Sequence, residues 1–127
     1  MKQLILYCLL PTLALSMMGA RYSSQASAPK GTLRHTVAFN FKPDVSQDVI
    51  KRILSETRAT LPTIKGVTNI VIGPQTSNWT KYKYGVSIDF VNKEAKEAYA
   101  ISPESKRLHE LYKPLTEEEV VIDILSE

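Results

Sequence analysis

The sequence predicts a small α+β domain whose elements run in the order β-α-β-β-α-β. Three observations predict it. Residues Leu33 to Lys42 alternate apolar and polar side chains with a period of two. Two further strand-like runs, Val67 to Ile72 and Tyr82 to Phe90, follow one another without a helix between them. The remaining stretches carry apolar residues at helical spacing behind Ser and Asn residues suited to cap helices.

The chain has 127 residues, enough for one domain. Its beginning differs from the rest. Lys2 precedes an almost wholly apolar run, Leu4 to Met18, and small polar residues follow from Ser23 to Ala28. That order is the layout of a secretory signal peptide. The run is short of the roughly 20 residues that a helix needs to span a bilayer, and Pro11 interrupts it. Residues 1–28 are therefore read as signal peptide and linker, and 29–127 as the domain. Ala26-Ser27-Ala28, Ser24-Gln25-Ala26 and Met18-Gly19-Ala20 all fit a cleavage pattern, and an uncleaved anchor is the alternative. Tyr7 rather than a small residue precedes Cys8, which argues against a lipoprotein signal. A secreted or periplasmic location follows, with no stable membrane association after cleavage.

A cut after Ala28 leaves 99 residues without cysteine or methionine, so no disulfide holds the domain and its apolar core must. It also lowers the 16 Lys and Arg to 14, against 13 Asp and Glu. Such a balance shows no electrostatic footprint for nucleic acid.

In the first strand Leu33, His35, Val37, Phe39 and Phe41 share one face. Pro43-Asp44 ends it. Ser46 caps a helix carrying Val49, Ile50, Ile53, Leu54, Thr57 and Leu61, and Pro62 ends that helix. Gly66 opens the second strand and Gly73-Pro74 closes it. In the third strand Tyr82, Tyr84, Val86, Ile88 and Phe90 share a face. Asn92 caps a helix bearing Ala95, Ala98 and Tyr99. Ser102-Pro103-Glu104 starts another, with Leu108, Leu111 and Tyr112 on its apolar side. Val120 to Leu125 is the fourth strand. Four antiparallel strands with helices on one face make a ferredoxin-like sheet. Thr36, Ala38, Ile70, Ile72 and Val91 are expected on the other face, which is too apolar to stay solvated. Packing two sheets face to face would cover it, so a homodimer is expected.

Several motifs resemble one family. Arg34-His35-Thr36-Val37-Ala38-Phe39-Asn40-Phe41-Lys42 resembles the opening strand of the stress-responsive dimeric A/B-barrel (Dabb) domain, and Leu61-Pro62-x-Ile64-x-Gly66-Val67 its helix-to-strand turn. Val71-x-Gly73-Pro74, Tyr82-x-Tyr84-Gly85-Val86, Glu97-Ala98-Tyr99, Ser102-Pro103 and Lys113-Pro114-Leu115 follow in the family's order, so the likeness spans Leu33 to Leu125. It implies a ferredoxin-like homodimer forming a dimeric α/β barrel. In one branch, a plant polyketide cyclase, the first-strand histidine falls on His35 and a pocket tyrosine on Tyr99. The cyclase's catalytic histidine falls on Ser105 and its neighbour on Ser102. Serine does not accept a proton near neutral pH without a helper base, which argues against cyclase chemistry.

The candidate ligand-binding residues are His35, Tyr82, Tyr84 and Tyr99, with His35 and Tyr99 also the candidates for any catalysis. The plainer reading of His35 is a partly buried histidine bonded to a neighbour. His109, the Lys93, Lys96, Lys106 and Arg107 set and the Glu117-Glu118-Glu119 run read as solvated surface, and Trp79 either as a contact residue in a polar loop or as a ring folded over one end of the domain. Asn78-Trp79-Thr80 is formally a glycosylation sequon. Two distant histidines give no metal-ligand spacing, and no glycine-rich phosphate loop occurs, so neither metal nor cofactor is expected. The expected function is an exported homodimer that binds a small apolar or aromatic ligand. The alternative is a cofactor-free enzyme, cyclase-like or monooxygenase-like, acting on a small aromatic substrate. Export predicts that the protein isolated from its native host begins between Arg21 and Gly31. N-terminal sequencing checks this, and a cytoplasmic protein still starting at Met1 would refute it.

Overall fold

The computed structural model describes residues 27–127, so most of the expected export segment lies outside the described residues. The elements are β1 (Leu33–Phe41), α1 (Gln47–Thr60), a 3-10 turn (Leu61–Thr63), β2 (Val67–Pro74), β3 (Tyr84–Phe90), α2 (Lys93–Ala100), α3 (Pro103–Tyr112) and β4 (Thr116–Leu125). All three strand pairings are antiparallel and the sheet order is β2-β3-β1-β4. The order of elements and the ferredoxin-like sheet agree with the sequence. The α/β barrel does not. The four strands form an open sheet with β2 and β4 at its two edges, and it does not close into a barrel.

Capping chemistry fixes where the helices start. Ser46 Oγ accepts from the Val49 amide, Asn92 Oδ1 from Ala95 and Ser102 Oγ from Ser105, so each helix has a donor of its first turn satisfied by a side chain. Helix α1 buries Ile50, Ile53, Leu54 and Thr57, at spacings of three and four residues that make one face. That face meets Leu33, Phe39, Val86, Ile88 and Phe90 of the sheet in one core. Ile53, Leu61 and Phe90 are wholly inaccessible to solvent. Each contributes on the order of 1.5–3 kcal/mol by leaving water. Helix α2 buries no residue fully, although Ala95 and Tyr99 pack against the core.

The turn into β2 demands glycine. Gly66 has φ +87°, and a Cβ there would lie 2.6 Å from the Cβ of Ala95. The missing side chain lets the start of β2 pass close under α2.

Two bulges decide which side chains face the helices. Residues paired across strands point to the same side of a sheet. Ile70 pairs with Ile88 and Ile72 with Val86, so both isoleucines lie under the helices, against the core. The sequence reading places them on the opposite face. The register shift between Val67 and Asn69 is the reason, since an extra residue reverses the alternation beyond it. Thr36 and Ala38 do lie on the helix-free face, where their β4 partners are Ile122 and Val120. That face also carries Val71 and Ile124, which are 64% and 56% exposed. At one side of it Arg34 Nε and Nη2 donate to the two carboxylate oxygens of Asp89 at 2.7 and 2.8 Å.

The second bulge lies in β4, where Phe39 pairs with Glu119 but Asn40 with Glu117, leaving Glu118 unpaired at φ +46°. Beyond it Glu119, Val121 and Asp123 sit opposite Phe39, Val37 and His35, facing the helices. Trp79 does not fold over an end of the domain; it is 97% exposed.

Replacing Ile53 with Ala should lower the unfolding free energy by about 2–5 kcal/mol, because a wholly buried side chain leaves a cavity. Ile101, which is 89% exposed, provides the control: its alanine variant should stay within about 0.5 kcal/mol of wild type. Urea denaturation of the two variants measures both.

Candidate functional site

A cavity of about 270 Å³ lies between the helix-facing side of the sheet and helices α1 to α3. Its sheet wall is apolar, made by Val37, Phe39, Val86 and Ile88. The space exists because short side chains stand where large ones would fill it: Thr57 on α1, Ala100 at the end of α2, Ser105 on α3 and Thr116 on β4. It is a little smaller than the 300 Å³ or so typical of small-molecule pockets. A dry cavity of about 150 Å³ already holds benzene, so a single substituted ring fits.

Polar groups are concentrated on three sides. His35 projects from β1, and its Nδ1 donates to the Asp123 carboxylate, 2.6 Å from Oδ1. The partner is supplied by cross-strand pairing, His35 opposite Asp123. Lys96 of α2 reaches the other carboxylate oxygen of Asp123 at 3.1 Å, tying this helix to the edge strand. Partial burial disfavours the charge on Asp123. The hydrogen bonds from His35 and Lys96 outweigh that cost and hold its carboxyl below the usual carboxylate range. On the helix side the Thr57 hydroxyl lies 2.7 Å from Tyr112 Oη, and Tyr99 and Ser105 line the same cavity. Burial raises the phenol pKa of both Tyr99 and Tyr112, so both are neutral hydroxyls near neutral pH.

The structure brings His35 and Tyr99 into one cavity, with Ser105 beside Tyr99. It does not bring in the other two candidates. Tyr84 packs among the aromatic rings of Phe39 and Phe41, with ring centres 6.2 and 5.0 Å away, and is not a wall of the cavity. Tyr82 precedes β3, where Lys81 Nζ stands 5.6 Å from its ring centre. Tyr112 takes the place expected of them. The sequence reading also leaves out Asp123 and Thr57 and treats Lys96, His109 and Glu119 as solvated surface, whereas all three line the cavity. Among the described residues no cluster of three or more His, Cys, Asp or Glu is arranged to hold a metal.

An open ferredoxin-like sheet, three helices on one side and a ring-sized cavity between them define the class of this domain. The chain belongs to the stress responsive A/B barrel domain (Dabb) family, whose model matches residues 33–126. Among solved structures it is similar to a Dabb family protein with a ferredoxin-like fold from Mesorhizobium loti, at 28% identity and a TM-score of 0.70, covering 77% of this chain and 99% of that one. It is also similar to a dimeric ferredoxin-like protein of unknown function from Jannaschia, at 25% identity and a TM-score of 0.64, covering 74% and 98%. The hydroxynitrile lyase of Passiflora edulis shares the fold at 16% identity and a TM-score of 0.71, covering 78% and 96%. No curated protein matches the sequence.

The two carboxylates give the fold a one-sided pH dependence. Arg34 holds the Asp89 carboxyl below its ordinary value by a bidentate hydrogen bond, against the opposing effect of burial, and Asp123 is lowered as described above. A depressed carboxyl pKa stabilises the fold fully above the unfolded value of about 3.9. That contribution is lost as pH falls through the lower folded values. The urea midpoint should therefore drop below about pH 4, and Asp89→Asn should flatten this acid limb. Equal acid limbs in wild type and variant would contradict the assignment.

Proposed function

We propose that this protein is an exported homodimer that binds a small, largely apolar or aromatic molecule in the cavity between its sheet and helices. The cavity itself carries the reading: about 270 Å³ with an apolar sheet wall and a few hydroxyl, imidazole and ammonium groups that converge on it. Entry beside α2 is favoured because that helix buries no residue fully. The export signal read from Leu4 to Met18 supports a destination outside the cytoplasm.

Dimerisation is supported by the helix-free sheet face, where Val71, Ile122 and Ile124 are each more than half exposed. The Jannaschia relative is described as dimeric. Ile122, rather than the Ile70 that the sequence suggests, is the residue to replace. Lysine at 122 would put an unpaired charge into the paired faces and dissociate the dimer, whereas wild-type monomers in light scattering at micromolar concentration would remove this part of the proposal.

A second reading has its own observation. The His35–Asp123 pair, with His35 on the wall of the cavity, has the form of a general base held by a carboxylate, which suits cofactor-free proton transfer on a bound aromatic substrate.

For the ligand-binding reading, single-ring aromatic compounds should raise the thermal midpoint of the protein in a concentration-dependent way. At a hundred times the dissociation constant the gain is about 2.7 kcal/mol. Val121→Trp, which fills the cavity from β4, should abolish the shift while leaving the protein folded. A shift that survives this substitution would place the ligand elsewhere.

A further inference from the structure

Several hydrogen atoms at the cavity wall are already committed, and this bears on what a ligand must bring. The Thr57 hydroxyl donates its one hydrogen to the Ile53 carbonyl at 2.8 Å. In the 2.7 Å contact with Tyr112 it can then only accept. Tyr112 therefore donates to Thr57, and its phenolic oxygen is left as an acceptor.

His35 follows the same logic. An ionised carboxylate only accepts, so in the 2.6 Å contact with Asp123 the hydrogen is on His35 Nδ1. The lone pair of the neutral imidazole is then on Nε2. Nε2 has no hydrogen-bond partner among the described residues. Every buried side-chain nitrogen and oxygen among them has one, so Nε2 is an accessible atom of a residue that lines the cavity. Lys96, the cation beside it, is engaged by the second oxygen of Asp123.

We infer that the cavity selects a neutral single-ring compound bearing a hydroxyl group, a phenol, whose O–H donates to His35 Nε2. A methyl ether of the same ring brings no donor, and a carboxylate brings no hydrogen to give to Nε2. Asp123 is the positioning residue. It fixes which ring nitrogen carries the hydrogen, and Lys96 fixes which way round the carboxylate's substitute would sit. In Asp123→Asn the amide oxygen stays with the Lys96 ammonium, which needs an acceptor. The amide NH2 then faces His35 and donates to Nδ1. The imidazole hydrogen moves to Nε2, and the acceptor becomes a donor.

This inference rests on the ligand-binding reading above, and one experiment separates the two. Calorimetric titration of the full-length protein with 4-methylphenol, 4-methylanisole and 4-methylbenzoate compares one ring with three head groups. The phenol should bind about tenfold more tightly than the ether, as expected for one hydrogen bond made in an apolar site, and more tightly than the carboxylate. The preference should fall towards unity in Asp123→Asn and in His35→Phe. A merely structural Asp123 would change stability and leave the ratio alone. Equal or tighter binding of the ether or the carboxylate by the wild type would overturn the inference and leave the pocket standing. An unchanged ratio in His35→Phe would overturn it as well, and an unchanged ratio in Asp123→Asn would remove Asp123's role. Binding of none of the three would overturn both readings.

Discussion

Strand β1 is the constraint on which the rest depends. It is hydrogen-bonded to β3 on one side and β4 on the other, so its alternation is imposed on both neighbours. Its odd-numbered residues enter the helix layer. Leu33, Phe39 and Phe41 anchor the core, and His35 and Val37 between them become wall of the cavity. Its even-numbered residues form the helix-free face, where Arg34 locks onto Asp89 of β3. The core, the candidate site and the candidate dimer surface are thus three outcomes of one period-two pattern. A one-residue slip of β1 would exchange them all at once.

The cavity is a deliberate shortfall in an otherwise filled interior. Ile53, Leu61 and Phe90 are sealed from solvent, yet a few ångströms away Thr57, Ala100 and Ser105 leave space. Empty volume costs stability, because side chains lining it lose contacts that nothing replaces. Part of the cavity wall is formed by α2, which buries no residue fully. There, the Lys96–Asp123 contact, the packing of Tyr99 on Phe90 and the Asn92 cap hold the helix in place of a buried apolar stripe.

Much of this was legible in the sequence, and what was not has a common cause. The alternation of Leu33 to Phe41, the caps Ser46, Asn92 and Ser102, and the stops at Pro62 and Gly73-Pro74 are local signals, and each marks a feature of the structure. The placement of His35 and Tyr99 in one cavity also follows from local periodicity combined with the order of elements. The features that were missed depend on bulges and cross-strand register. One extra residue near Thr68 moves Ile70 and Ile72 from the expected outer face to the inner one. Another at Glu118 turns an apparently solvated acidic run into part of β4 and points Asp123 at a histidine 88 residues away. Tyr84 and Tyr112 could not be told apart by pattern, since each is a tyrosine on the apolar side of its element. Only the packing of Tyr84 against Phe39 and Phe41 decides between them. The missing barrel closure is of the same kind: the sequence specifies the faces of a sheet far better than the fate of its edges.

Those edges have a consequence for solubility. An unpaired strand is a template on which another chain can add, and long flat edges invite fibrils. Both edge strands here are interrupted, β2 by its bulge near Thr68 and the terminal Gly73-Pro74, β4 by the kinked Glu118. The outermost strand also places Glu117, Glu118, Glu119 and Asp123 along ten residues, so two copies brought edge to edge would meet like charge and mismatched hydrogen-bonding groups. The same bulge that aims Asp123 at His35 thereby also guards against uncontrolled polymerisation, and a domain with no disulfide to brace it is shielded from lateral stacking by the shape of its own margin.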